Sequence, residues 1–574
     1  MNRKLVEKAR NLVEVETGTS VKSHAGKLRV ALAYPNTYHV GMSNVGFQSV
    51  YRFWNEMADV VCERFFLPDR SDLREYRASR TRLFTLESQT PVAEFDIVAF
   101  SITFEPDELN VIEMLDLAGI PALADERAQR DPFVVVGGPI TFLNPEPLAA
   151  FVDVFAVGEA EALLPQLTRA LLESSDRAKR LEALGGADGF YIPSHVEFDY
   201  GSNGTIAKRV SESQAGEVVI RAKMGKRADW PPPATYILTS ATEMSNKFLV
   251  EVSRGCPTLC RFCWAGYNYL PKRSFEMSKI LEAARKAREH TKEIGLVSTA
   301  VGAHREIVPL VTDLKAMGFR VSVSSLRFDD LRPELLNALV GSGEKTLAVA
   351  PEVGSDRLRF AIHKRILNSE ILQKTDMLFE RGVENLKIYL MVGVPEEREE
   401  DIEAIVHLVK AIRERMLTHA RVRGRVGKVI ASINPFIPKP GTPFQWHAMA
   451  PLSELNRKMQ YLKKALKALP NVEANFKSPR LEQLQALLSV GDRRLAAAML
   501  SMVREGTKLK QAVELTGRDL DFYIRRSRDL DEILPWGHID NGMKKELLVT
   551  QYWKSRNAAE VPRSSYSKTT SATA

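Results

Sequence analysis

From Leu28 onward the chain repeats one unit, a short apolar run of strand length followed by an amphipathic stretch of helix length. Strands of this kind are buried on both faces, so the repeat specifies parallel sheets flanked by helices and excludes an all-helical fold. Two series are legible. The first holds LRVALAYP (28–35), FDIVAFSIT (95–103), PFVVVGGP (132–139) and VDVFAVGEAE (152–161), with helical patterns at 42–57, 108–119 and after 161. The second holds FLVEVSRG (248–255), IGLVST (294–299), RVSVSS (320–325), TLAVAPEV (346–353), NLKIYLMVGVP (385–395) and GKVIASINPF (427–436). Six strands are too few for a closed eightfold barrel, so the second series predicts a partial one.

The expected fold class is α/β: an N-terminal doubly wound, Rossmann-like sheet, a partial (β/α)6 barrel and a helical C-terminal domain. The expected boundaries are a leading helix (1–27), the sheet (28–185), a strand and hairpin linker (186–240), the barrel (241–446), helices at 453–469, 480–504 and 507–529 within 447–556, and a disordered polar tail (557–574). Asn203-Gly204 is the hairpin signal and Trp230-Pro-Pro-Pro233 marks the linker. No uncharged apolar run approaches the ~18–20 residues of a membrane helix, and the N-terminus has no apolar signal core, which predicts a cytoplasmic protein. The net charge of +8, from 80 basic against 72 acidic residues, permits a nucleic-acid partner without demanding one. The run Arg421-Val-Arg-Gly-Arg425, with Lys428, reads as a solvated loop.

Cysteine usage narrows the chemistry. Of four cysteines, Cys256, Cys260 and Cys263 fall within eight residues directly after the strand 248–255; the fourth, Cys62, has an apolar setting that reads as a packed thiol. Three such thiolates can hold three corners of a four-iron cube and leave one iron open to chelate a small molecule. A Cys3His zinc site is the alternative, but His290 lies 27 positions on, without finger-like spacing.

The CxxxCxxC spacing, with Phe262 before the last cysteine, resembles the radical S-adenosylmethionine (SAM) superfamily. The resemblance implies a [4Fe-4S] cluster on Cys256, Cys260 and Cys263, with SAM bound by the open iron and cleaved reductively to a hydrogen-abstracting radical. It implies that Ser298 of IGLVSTA, Ser324 and Ser325 face the SAM end, and that Glu352 of APEVGSDRLR meets the ribose hydroxyls. It also implies an electron-donating partner such as flavodoxin or ferredoxin. MVGVPEEREEDI (391–402) and FIPKPGTPFQW (436–446) resemble further segments of the family, and ILPWGHIDNGMKKELL (533–548) resembles a motif of its uncharacterised members. For Arg254, Trp264, Tyr267 and Arg273, which flank the cysteines, packing or solvation is the expectation.

Residues 28–170 resemble the cobalamin-binding domain that precedes many such barrels. On that resemblance Ser101, Gly137 and Gly138 would approach the corrin and its nucleotide tail. The usual Asp-x-His-x-x-Gly ligand loop is replaced by Pro35-Asn-Thr-Tyr-His39-Val-Gly41, which leaves cobalamin an open question and His39 expected to be solvated or packed. The methylthiotransferases carry three further N-terminal cysteines; this chain has only Cys62 there, so that reading fails. The function expected is reductive SAM cleavage, with cobalamin-dependent methyl transfer to an unactivated carbon as one version. Cobalamin-free rearrangement, oxidation or cyclisation is the alternative, and a non-catalytic Fe–S or zinc nucleic-acid adaptor is a third. No motif selects the substrate.

Overall fold

In the computed structural model the described residues are 2–211, 218–223, 230–324, 326–339 and 345–560. The N-terminal sheet has six strands in the order Val60–Phe66, Leu28–Tyr34, Ile97–Ser101, Phe133–Gly137, Val154–Ala156 and Phe190–Tyr191, the last antiparallel and the rest parallel. Helices such as Val45–Glu56, Glu108–Ala118 and Ala160–Glu173 supply the crossovers. The edge strand Val60–Phe66 was not expected. Its Glu63 and Arg64 break the apolar pattern, yet all seven of its residues are buried. The stretch before Leu28 covers that edge, with Glu16 pairing to Arg64 and His24 to Glu63, and Glu87, beyond the strand, gives Arg64 a second carboxylate. The leading helix itself is shorter than expected, Arg3–Glu14, and continues as extended chain bridging Thr17 to Leu238. Asn203-Gly204 does turn a hairpin, between Val196–Tyr200 and Ile206–Ser211.

All six expected barrel strands form: Phe248–Glu251, Glu293–Val297, Arg320–Val323, Thr346–Glu352, Asn385–Val392 and Val429–Pro435. They are parallel in sequence order, in groups of three and four joined by a parallel bridge from Leu326 to Val349. The fourth member of the second group is a seventh strand, Val472–Phe476, between two expected helices where no strand was foreseen. As an edge strand it alternates half-buried and exposed residues and carries no apolar run. Two expected helices are each broken, 480–504 into Pro479–Val490 and Leu495–Arg504 around Gly491, and 507–529 into Leu509–Glu514 and Leu520–Ile524 around Gly517. A final helix, Lys545–Glu560, packs on Asp356–Ala361 beside the barrel mouth.

The sheet meets the barrel and the C-terminal helices through charged and polar side chains. Glu159, after the fifth strand of the sheet, is ringed by Arg221 at 3.2 Å, Arg254 at 3.1 Å and Arg273. Glu105 accepts from Lys439 and from Gln485, the latter at 2.9 Å. Glu146 accepts from Arg493 at 2.9 Å, and the Asn144 amide donates to the carbonyls of Ser489 and Gly491.

Candidate functional site

The cysteine loop leaves the first barrel strand at its C-terminal end, through a two-residue strand, Ser253–Arg254, paired with Arg273–Ser274. Cys256 and Cys260 are buried and Cys263 half-buried. Thr258 Oγ1 is 2.9 Å from Cys256 Sγ and 3.8 Å from Cys260 Sγ, so one hydroxyl lies between two of the thiols. The loop backbone is held from outside. The Leu259 carbonyl accepts from the Tyr267 hydroxyl at 2.9 Å and pairs with His363 Nδ1 at 3.0 Å, while Leu259 itself has the left-handed φ of 50°. Arg261, buried, donates to the carbonyls of Phe360 and Ala361 and, at 3.2 Å, to Gln551 of the final helix. Phe262 turns inward onto a small core of Val353, Leu358, Ile362, Val394, Phe436 and Phe444, which accounts for an aromatic before the last cysteine.

Burial pushes the Cys260 thiol up, Lys364 opposing it, and burial with the neighbouring Cys260 pushes Cys263 up to about 12. Without a metal these groups are therefore protonated, and a soft cation would displace the protons. The surroundings fit an anionic cluster. Lys364 Nζ donates to Glu352 Oε1 at 2.9 Å, and both charges act on Cys260. Burial works against the Lys364 charge, but the hydrogen-bonded Glu352 carboxylate opposes it and the Lys364 pKa is raised. Lys272 and Arg327 lie within electrostatic reach of Cys256. Among the described residues no three Cys, His, Asp or Glu side chains converge on a single point, as one zinc would require. A cube spreads its three thiolates over three irons, and the donor set, all sulfur with no fourth ligand, suits that group.

Glu352, singled out from the sequence, ends the fourth barrel strand with a φ of 69° after a bulge, and it is the residue drawn to the cysteine loop. Such a backbone is costly for a side chain other than glycine or asparagine and is kept where the position is needed. Ser298 and Ser324 also come together, the Ser324 hydroxyl donating to the Ser298 carbonyl at 3.0 Å. The Ser298 hydroxyl is 2.7 Å from that of Ser253, a buried residue the sequence reading missed because a lone serine before a cysteine loop carries no signal. Lys364 was missed too, since only the fold brings it to Cys260. Ser325 lies outside the described residues.

Ser101, Gly137 and Gly138 form a separate group on the N-terminal sheet. Ser101 pairs in register with Gly137, and the three border a largely apolar cavity of about 60 Å³ that also touches Leu32, Ala99 and Gly158. A Cβ on Gly137 would meet open space, but one on Gly138, at φ 97°, would stand on the Ile102 carbonyl, and one on Gly158, at φ 138°, on that of Ala222. Two of these glycines are therefore required by the chain's own packing. His39 is exposed, with Nδ1 3.2 Å from the Ala241 carbonyl. Trp536 and His538 are buried ahead of the final helix, Trp536 Nε1 donating to Gln445 at 2.8 Å and His538 packing on Tyr191. Cys62 is a buried thiol of the edge strand.

Comparison with known proteins agrees with this arrangement. Residues 46–193 match the family model for radical SAM proteins, N-terminal, and residues 250–409 match the radical SAM superfamily. The uncharacterized protein MJ0966 of Methanocaldococcus jannaschii is 30% identical over 504 residues, covering 87% of this chain and 96% of the relative. The tRNA-2-methylthio-N(6)-dimethylallyladenosine synthase of Aquifex aeolicus is 24% identical over 250 residues, covering 40% of this chain and 54% of that protein. Among solved structures, the radical SAM methyltransferase TsrM of Kitasatospora setae, described with cobalamin and a [4Fe-4S] cluster bound, aligns at a TM-score of 0.48 and 14% identity over 74% of this chain and 76% of that one. The cobalamin-dependent radical enzyme OxsB aligns at 0.48 and 12% identity, over 92% and 79%. With both halves of its architecture matched and a full-length relative in hand, the chain is a member of the radical SAM superfamily.

Proposed function

We propose that this enzyme cleaves SAM reductively at the C-terminal mouth of its barrel, with Cys256, Cys260 and Cys263 holding the [4Fe-4S] cluster and Ser298, Ser324 and Glu352 facing SAM. The observation that carries the reading is the three-thiol loop with the Glu352–Lys364 pair set against Cys260. When bound, the cluster supplies the one-electron chemistry that turns SAM into a hydrogen-abstracting agent. The chain's own residues do the rest. Lys364, Lys272 and Arg327 set positive charge beside the cluster loop. Tyr267, His363 and Arg261 fix its backbone, and the Ser253–Ser298 hydroxyl pair, with the Ser324 hydroxyl donating to the Ser298 carbonyl, ties together the ends of the first three strands. Family membership brings the need for an electron donor; a flavodoxin or ferredoxin in the cytoplasm fits that role.

Of the two finer readings, the geometry favours radical chemistry without cobalamin: rearrangement, oxidation or cyclisation. A cavity of about 60 Å³ is well short of the ~150 Å³ that admits one benzene ring, and so of a bicyclic nucleotide base. At Gly138 and Gly158 backbone stands where a Cβ would go, and His39 is turned to the Ala241 carbonyl ahead of the first barrel strand. One observation favours cobalamin-dependent methyl transfer, the open space over Gly137.

Iron and cobalt per chain, measured on protein purified anaerobically from cobalamin-fed cells, separate the two. About four irons without cobalt, together with 5′-deoxyadenosine formed under reductant, support the favoured reading. About one cobalt per chain beside the iron would install the methyltransferase. Iron-free protein that cleaves no SAM after reconstitution would sink both.

A further inference from the structure

In a closed barrel the interior is filled by bulky branched side chains. Here it is not. Along Asn385–Val392, the residues Leu386, Ile388, Leu390 and Val392 are fully buried in the main core, while Asn385, Lys387, Tyr389 and Met391 alternate with them and are only half-buried. The neighbouring strand Val429–Pro435 alternates in the same way, with Val429, Ala431 and Ile433 buried and Ile430, Ser432 and Asn434 half-buried. Side chains of a strand point alternately to its two faces, so the half-buried set lines the lumen.

Register stacks that set in layers. Ala348, Lys387 and Ile430 share one, Tyr389 and Ser432 the next, and Met391 and Asn434 the layer nearest the cysteine loop. The other wall carries Gly295 and Ser322. Leu249 and Lys247 cover Gly295 on that wall, whereas Lys387, Tyr389, Ser432 and Asn434 stay half-buried, so solvent reaches this face of the sheet. The seventh strand continues the same layers with exposed Glu473 and Asn475, so the lumen opens sideways there.

Four polar side chains in this space, Lys387, Tyr389, Ser432 and Asn434, make no hydrogen bond or ion pair with the described residues. Among the described residues Lys387 meets the Tyr389 ring, its Nζ 5.1 Å from the centroid, which lifts the ammonium toward the middle layer. Glu473, the carboxylate in the Lys387 layer, lies two strands away and is 3.7 Å from Lys428 and 3.4 Å from Asn475. A half-buried ammonium flanked by two free hydroxyls and no carboxylate partner is a cradle for an anion.

We infer that the barrel lumen binds a compact anionic substrate, its carboxylate or phosphate held by Lys387 together with the hydroxyls of Tyr389 and Ser432. The inference rests on the reading above for where the radical forms. Successive layers are two residues, or roughly 6.6 Å, apart. The carbon attacked therefore lies about one layer from the anionic group, at the level of Met391 and Asn434, which is the span of a small metabolite.

The test is anaerobic calorimetric titration of the cluster-loaded protein with inorganic phosphate and, separately, with succinate. One or both are expected to bind, and which one identifies phosphate or carboxylate as the group. Lys387→Met is expected to weaken binding roughly tenfold or more, the loss for one charge-assisted bond. Tyr389→Phe, which removes only a hydroxyl, is expected to weaken it several-fold. Arg425→Gln, on the exposed loop after the long helix Glu399–Arg423, should leave it within twofold. Binding of neither anion, retention of affinity in both lumen variants, or loss in Arg425→Gln would each overturn the proposal. The titration reads binding and not turnover, so its failure leaves SAM cleavage standing, and a failure of SAM cleavage leaves the titration readable.

Discussion

Each cysteine of the loop has a different neighbour: Thr258 beside Cys256, the Glu352–Lys364 pair beside Cys260, and the turn into Trp264–Asn268 beside Cys263. None duplicates another, so Cys256→Ala, Cys260→Ala and Cys263→Ala should each lose most bound iron and abolish 5′-deoxyadenosine formation; full activity in any one would refute the ligand assignment. A second residue-scale prediction concerns Glu108, which is fully buried with neither carboxylate oxygen hydrogen-bonded among the described residues. Burial, then the nearby Glu105, raises its pKa well above the usual carboxylate range. The folded state therefore holds this proton more tightly than the unfolded chain. The stability it contributes is complete below the unfolded pKa of about 4.3 and is lost as pH climbs toward the folded value. Glu108→Gln should match the wild type in thermal melting at about pH 4 and exceed it at pH 8 by about 1–3 kcal/mol; a constant difference across that range would contradict the assignment. At this scale the sequence was readable where chemistry is local. Three cysteines in eight positions announce themselves, and Glu352 follows from the strand that ends on it. Lys364 and Ser253 became visible only when folding set them against the loop.

Elements with regular apolar periodicity were legible, and those shaped by their neighbours were not. The six barrel strands and the four inner strands of the sheet are apolar runs, and all were foreseen. Val60–Phe66 hides its identity because buried Glu63 and Arg64 find their partners in segments before and after the strand, and Val472–Phe476 because an edge strand has one wet face. The final helix was read only as part of a motif, yet Gln551 accepts from Arg261 inside the cysteine loop and the Ser555 hydroxyl donates to the Ala361 carbonyl at 2.8 Å. Gln551→Ala with Ser555→Ala removes two bonds worth about 1 kcal/mol each. That double variant should release iron to a chelator several-fold faster than the wild type, with the global melting temperature lowered by only a few degrees. Gly158→Ala should cost about 2 kcal/mol or more, since its φ of 138° and the Ala222 carbonyl leave no place for a methyl group. Denaturant unfolding of that variant checks it.

Across the whole molecule, the N-terminal sheet and the barrel are joined by buried charges. Glu105 is 4% exposed and relies on Lys439, more than three hundred residues away in sequence, for its counter-charge. That charge pair holds the Glu105 pKa low against the burial that would raise it. Lys439→Met strands the carboxylate and should cost about 3–5 kcal/mol in denaturant unfolding, whereas Glu105→Gln with Lys439→Met should recover most of the loss. Equal losses in the single and double variants would show that the pair does not couple the two halves. No single-sequence pattern could reveal this contact, because neither residue differs locally from a solvated one.

The brace between Arg261 and Gln551 spans 290 residues. At about 5–20 residues per second, the cysteine loop leaves the ribosome some fifteen to sixty seconds before this outer support exists. The order of biosynthesis is thus written into the fold: for about half of translation the cysteine loop has only its nearer supports, Tyr267 and later His363, and the last of its braces arrives with the helix that closes over it.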